Sequence, residues 1–79
     1  MTAEEMFKKL GYEVGQYTCR GYKEYVSETN SIYFDGTDES ISITNNADRA
    51  WDPNEVVISK GLLKTINKQI KELKESGEW

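Results

Sequence analysis

The sequence predicts an α+β two-layer sandwich of order α-β-β-β-(β)-α, with both helices covering one face of an antiparallel meander sheet. Three observations predict it. Capped amphipathic segments stand at residues 2–10 and 60–76. Between them Ile32 and Phe34, then Ile41 and Ile43, alternate with polar residues on either side of Asp35-Gly36. A hairpin with one apolar and one polar face needs covering on one side only.

The first segment opens on Thr2 and Glu5, spaced as a capping box requires, so that hydroxyl and carboxylate each satisfy a free amide of the first turn. Met6, Phe7 and Leu10 fall on one side, Lys8 and Lys9 suit the C-terminal dipole, and Gly11 supplies the left-handed stop. Tyr12 is placed to fold back on the last turn. Residues 17–26 are rich in strand formers, but Tyr17 and Cys19 share one phase and Tyr22 and Val26 the other. The reading is a strand with a bulge or bend at Gly21. Glu28 to Ser31 reads as a turn. The hairpin of residues 31–44 follows, its Asp35-Gly36 connection extending as far as Glu39.

A polar connection rich in Asn and Asp runs from Asn45 to Asn54, interrupted by Trp51 and by the single proline, Pro53. Glu55 to Ile58 reads as a short fourth strand, and Ser59 as the cap of the last helix. That helix carries Leu62, Leu63, Ile66, Ile70 and Leu73 in one stripe, with lysines over much of the remainder, and Gly77 stops it. The stripe is the expected half of the core, each side chain contributing roughly 1.5–3 kcal/mol before entropy.

Seventy-nine residues leave room for a single domain, 1–79, with one small core. Two Trp, five Tyr and two Phe put large apolar area into few residues. One cysteine cannot close an internal disulfide, and no apolar run approaches membrane-spanning length, so the expected compartment is the reducing cytoplasm. The net charge of −4 is unevenly placed: residues 1–57 carry five basic and eleven acidic side chains, and residues 58–79 five Lys and three Glu. Acidic balance disfavours nucleic acid as a partner.

The opening Met1-Thr-Ala-Glu-Glu-Met-Phe-Lys-Lys-Leu-Gly-Tyr12 and the closing Leu62-Leu-Lys-Thr-Ile-Asn-Lys-Gln-Ile-Lys-Glu-Leu73 resemble the two ends of a group of small uncharacterised phage and prophage proteins of low-GC Gram-positive bacteria. In that group a short helix ending in Leu-Gly-Tyr precedes a few strands. A helix of the Ile-Asn-Lys-Gln-Ile type, often followed closely by Gly-Trp, comes last. Here Gly77-Glu78-Trp79 departs slightly from that ending. The resemblance covers about a third of the chain. It implies a phage or mobile-element setting and the α-β-α order; no activity is established for the group, so no catalytic residue is carried over.

The catalytic inventory is thin. Histidine, the commonest general base, is absent, and one Cys without His cannot build a zinc site. Cys19 is expected in the core. No cofactor, metal ligand set or catalytic residue is expected. The expected function is therefore a non-enzymatic protein-interaction module using the open sheet face. Tyr25, Tyr33, Trp51 and Trp79 are the candidate anchors, a host or phage protein is the partner, and homo-oligomerisation is a further option. Two other readings stand beside it. One is nucleic-acid binding through Lys64, Lys68, Lys71 and Lys74 of the last helix. The other is a small metal-dependent enzyme using the Asp35, Asp38 and Glu39 turn, whose spacing does not match the twelve-residue calcium loop.

Overall fold

The structure, a computed structural model, describes residues 1–45 and 57–79. Its elements run α1 (Ala3–Lys9), β1 (Glu13–Val14), β2 (Lys23–Val26), β3 (Asn30–Asp35), β4 (Ser40–Asn45) and α2 (Lys60–Glu75). The strands form one antiparallel meander in the order β1-β2-β3-β4. The α+β class, the two flanking helices and the meander are as the sequence predicts. The fourth strand is not. It is β1, following the first helix, and it pairs Glu13 with Val26 and Val14 with Tyr25. Val57 and Ile58 are exposed and outside any strand, while Glu55, Val56 and Trp51 lie outside the described residues.

Both helices begin and end by the devices their sequences encode. The Thr2 hydroxyl accepts from the Glu5 amide, and the Glu5 carboxylate accepts from the Thr2 amide. These hydrogen bonds hold the Glu5 carboxyl below the usual carboxylate range. After Leu10, Gly11 turns left-handed at φ 94°. Its amide donates to Lys8 and the Tyr12 amide to Phe7, the paired bonds of a Schellman stop. The accompanying hydrophobic contact is Phe7 on Tyr12, ring edge to face at 5.6 Å. The second helix repeats the device. Gly77 lies at φ 78°, its amide donates to Lys74 and that of Glu78 to Leu73.

The core lies between the helices and one sheet face. Phe7 of α1 and Leu62, Ile66 and Leu73 of α2 meet Tyr25, Ile32 and Phe34, with Ile41, Ile43, Ile70 and Trp79 packed at its margin. Phe7 stacks on Tyr25 at 3.9 Å, almost parallel. Two hydrogen-bonded polar pairs are buried with them. The Tyr25 hydroxyl donates to Gln69 Oε1 at 2.5 Å and the Tyr12 hydroxyl to Asn30 Oδ1 at 2.5 Å. The α2 stripe is narrower than its spacing suggests: Leu63 is half exposed, while Thr65 and Gln69 take buried positions.

Candidate docking site

Register decides which side chains face away from the helices. Lys23 pairs with Phe34 and Tyr25 with Ile32, so these share the covered face; Glu24 pairs with Tyr33 and Val26 with Ser31 on the other. Across β4, Tyr33 meets Ser42, Ser31 meets Thr44 and Asp35 meets Ser40. The open face is therefore built from Glu13, Glu24, Val26, Ser31, Tyr33, Asp35, Ser40, Ser42 and Thr44. Three carboxylates stand on it, and the sheet's one cation, Lys23, is on the other side.

One end of this face carries a concavity of about 410 Å³ lined by Gln16, Tyr17, Thr18, Cys19, Tyr22 and Tyr33. It lies toward the Asp35/Ser40 end of the ladder, away from the end where Asn45 pairs with Asn30. Its walls come from the segment between β1 and β2, which is stitched to the sheet at three points. The Gly15 amide donates to the Glu24 carbonyl at 2.8 Å, and the Glu24 amide donates to the Thr18 hydroxyl, which in turn donates to the Glu24 carbonyl. The Glu24 carboxylate lies so close to Gly15 that a Cβ there would collide with it. Cys19 and Tyr22 then exchange two backbone hydrogen bonds around Arg20-Gly21, and Gly21 takes φ 82°. Gly21 thus makes a tight turn of the type that needs positive φ at its third residue, not a bulge within a longer strand. The strand expected over residues 17–26 shortens to Lys23–Val26 for that reason.

Tyr22 projects onto the open face and lies over Tyr33, rings 6.4 Å apart and within 24° of parallel. The Tyr22 hydroxyl shares a 2.9 Å hydrogen bond with Thr37 of the β3–β4 turn. Partial burial, then the nearby Asp35, Cys19, Tyr22 and Glu24, push the Tyr33 phenol above its usual range. Tyr17, on the rim, is 62% exposed.

From behind, the Gly21 turn is gripped by the two residues that the α2 stop releases. The Glu78 carboxylate accepts from the Gly21 amide at 2.6 Å and the Trp79 indole donates to the Gly21 carbonyl at 3.1 Å. Hydrogen bonds from Ser76 and Gly21 hold the Glu78 carboxyl below its ordinary range, with Lys23 and Arg20 adding to the effect. Gly36 lies against the same turn, where an added Cβ would sit 2.4 Å from the Gly21 carbonyl oxygen.

The candidate residues are thus distributed unevenly. Tyr33 is on the open face. Tyr25 is not: it is 3% exposed and points into the core, because β2 starts at Lys23 and its phase is set by pairing with Ile32 rather than by Tyr22 and Val26. Trp79 is half-buried against Phe34 and engaged with Gly21, so it supports the site rather than offering a surface. Trp51 lies outside the described residues. Cys19, expected in the core, is exposed on the wall of the concavity, because the turn at Gly21 lifts it off the covered face. Tyr22 and Tyr17 join the site unannounced by the hairpin pattern. The nearness of Tyr22 to Tyr33 becomes visible only once the register is known.

The other two residue groups are also placed. Lys68 pairs with Glu72 and Lys71 with Glu75 one helical turn on, Lys64 is exposed, and Lys74 lies beside Trp79 and Glu39. Asp35 accepts from the Thr37 amide and Asp38 from the Ser40 hydroxyl, so both carboxylates hold their own turn, in which Glu39 takes φ 56°. Among the described residues no three His, Cys, Asp or Glu side chains are grouped to hold a metal ion, and no helix is long and apolar enough to cross a membrane. No family model, curated protein or solved structure matches the chain.

Proposed function

We propose that the chain is a non-enzymatic protein-interaction module that docks a partner on the open face of its sheet, with Tyr33 and Tyr22 as the anchors. The observation that carries this reading is the pair of stacked tyrosines standing beside a concavity on the face turned away from both helices. Aromatic side chains with few rotatable bonds give large contact area at little entropic cost, and they dominate the energetics of protein interfaces. The surrounding Ser31, Ser42 and Thr44 supply a polar rim. The resemblance of the two terminal helices to small phage-encoded proteins favours a host or phage protein as the partner.

Affinity capture from bacterial lysate, comparing the wild type with Tyr33→Leu and Tyr22→Leu, tests the reading. A partner retained by the wild type and lost by both variants, each with a native circular dichroism spectrum, is the expected result. Identical capture by all three would remove the open face from the binding surface.

A further inference from the structure

We propose that the tyrosine-lined concavity is the seat of an arginine side chain presented by the partner protein. The inference rests on the open face being a docking surface and names the chemistry that this surface selects. Its first support is charge. Glu13, Glu24 and Asp35 stand on the open face, and among the described residues no strand puts a Lys or Arg beside them. Asp38 and Glu39 follow in the adjoining turn. Arg20, exposed in the turn beside the site, contributes to lowering the Glu78 carboxyl, which grips that turn from behind. An anionic partner would meet this field without compensation, whereas a cation gains from it.

The second support is the lining. A cation within about 6 Å of a phenol ring centre is drawn to the ring face, and the attraction grows where water is partly excluded. Tyr22 and Tyr33 present nearly parallel rings, Tyr17 closes the rim, and Gln16 and Thr18 add polar atoms that can accept hydrogen bonds. Glu24 pairs with Tyr33 across β2 and β3, and its carboxylate lies against Gly15, adding negative charge to the same face.

Arginine fits this set better than lysine. The guanidinium is planar, stacks on aromatic faces, is weakly hydrated and carries five donors in a fixed fork. An ammonium would have to shed a tighter hydration shell to lie on the same rings.

Cys19 gives a site-specific readout, since it is the single cysteine of the sequence and lies exposed on the wall of the concavity. The probe is acetyl-Gly-Arg-Gly-Arg-Gly-amide, compared with its lysine and citrulline counterparts, and the measurement is the rate of Cys19 alkylation by iodoacetamide. The arginine peptide is expected to protect Cys19 with an apparent Kd near ~1 mM. The citrulline peptide, isosteric but neutral, is expected to bind roughly tenfold more weakly, equivalent to about 1.4 kcal/mol. Protection should fade as salt shortens the screening length from about 30 Å to about 3 Å. Tyr33→Leu and, independently, Glu24→Gln should each weaken it. Equal protection by the citrulline peptide, or none by the arginine peptide, overturns the proposal. Capture from lysate then separates the two levels. A partner lost on Tyr33→Leu, from a chain whose concavity the arginine peptide does not protect, leaves the docking face standing and removes arginine as its ligand.

Discussion

Replacing Tyr25 by Phe removes one oxygen from the core and leaves everything else in place, and the structure sets its cost. The ring remains stacked on Phe7 at 3.9 Å, so the apolar burial is kept. What is lost is the 2.5 Å hydrogen bond to Gln69 Oε1, and Gln69 is itself only 3% exposed, too little for water to take over. A buried acceptor left without a donor costs about 1–3 kcal/mol, whereas replacing both partners by apolar groups of similar shape is close to neutral. Tyr25→Phe should therefore lower stability by about 2 kcal/mol and Tm by roughly 8–16 °C for a chain of this size. Gln69→Leu alone strands the tyrosine hydroxyl and should cost a similar amount. The double variant Tyr25→Phe/Gln69→Leu should recover at least about 1 kcal/mol relative to the sum of the two, as coupled neighbours do. Urea denaturation followed by far-ultraviolet circular dichroism and tryptophan fluorescence measures all four corners of the cycle. A Tyr25→Phe variant indistinguishable from the wild type, or strict additivity in the double variant, would refute the assignment of Tyr25 to a satisfied buried pair.

Three further outcomes follow from the same geometry. Burial, reinforced by Glu4 and Glu72, pushes the Tyr25 phenol far above its usual range. The neutral form is the folded form, so its contribution is complete below the ordinary tyrosine pKa of about 10 and is lost as pH rises through the folded value. Ultraviolet titration should show a tyrosine that ionises well above the ordinary range, and Tyr25→Phe should abolish that late step. Glu78 has the opposite sign. Its depressed folded pKa means its contribution is present above about 4.3 and disappears as pH falls through the folded value. Glu78→Gln should flatten the acid limb of a stability–pH curve. Gly36→Ala forces a methyl to within 2.4 Å of the Gly21 carbonyl oxygen, and overpacking of this kind costs about 1–3 kcal/mol, measurable as a lower urea midpoint.

The parts of the fold legible in the sequence are those written in local physics. Thr2 with Glu5, Gly11 with Tyr12, and Ser59 with Gly77 each satisfy backbone groups within a turn of their own position, so spacing alone reveals them. The Ile32/Phe34 and Ile41/Ile43 alternation is equally local, and those residues occupy the core or its margin. What local pattern could not carry was phase across elements. Glu13–Val14 is only two residues long, with both side chains exposed, and has no strand signature of its own; it exists because Gly15 and Thr18 tie the following segment to Glu24. Tyr25 looks displaced from its neighbours until the turn at Gly21 separates Tyr22 from a continuous strand. Leu63 sits on the helical stripe by spacing, but it is half exposed, and Thr65 and Gln69 are buried instead. The candidate docking site suffers most from this, because its lining comes from the β1–β2 segment and from β3. Of the aromatic anchors singled out by sequence, Tyr33 alone stands on that face within the described chain.

The grip of Glu78 and Trp79 on Gly21 also has a consequence in time. It joins residues 57 and 58 positions apart. Closing so long a loop is rewarded only after the nearer contacts have formed, so the grip belongs to the late stage of folding. The Schellman stop of α2 must already be in place to aim those two side chains. The turn they hold is the one that sets Tyr22 beside Tyr33. The proposed binding surface is therefore expected to take shape on the native side of the folding barrier, and weakening the grip, as in Trp79→Phe, should quicken unfolding while leaving the folding rate nearly untouched. A partly folded chain would carry the same tyrosines without their arrangement, so recognition through the proposed surface would itself report that the sheet and both helices have been assembled.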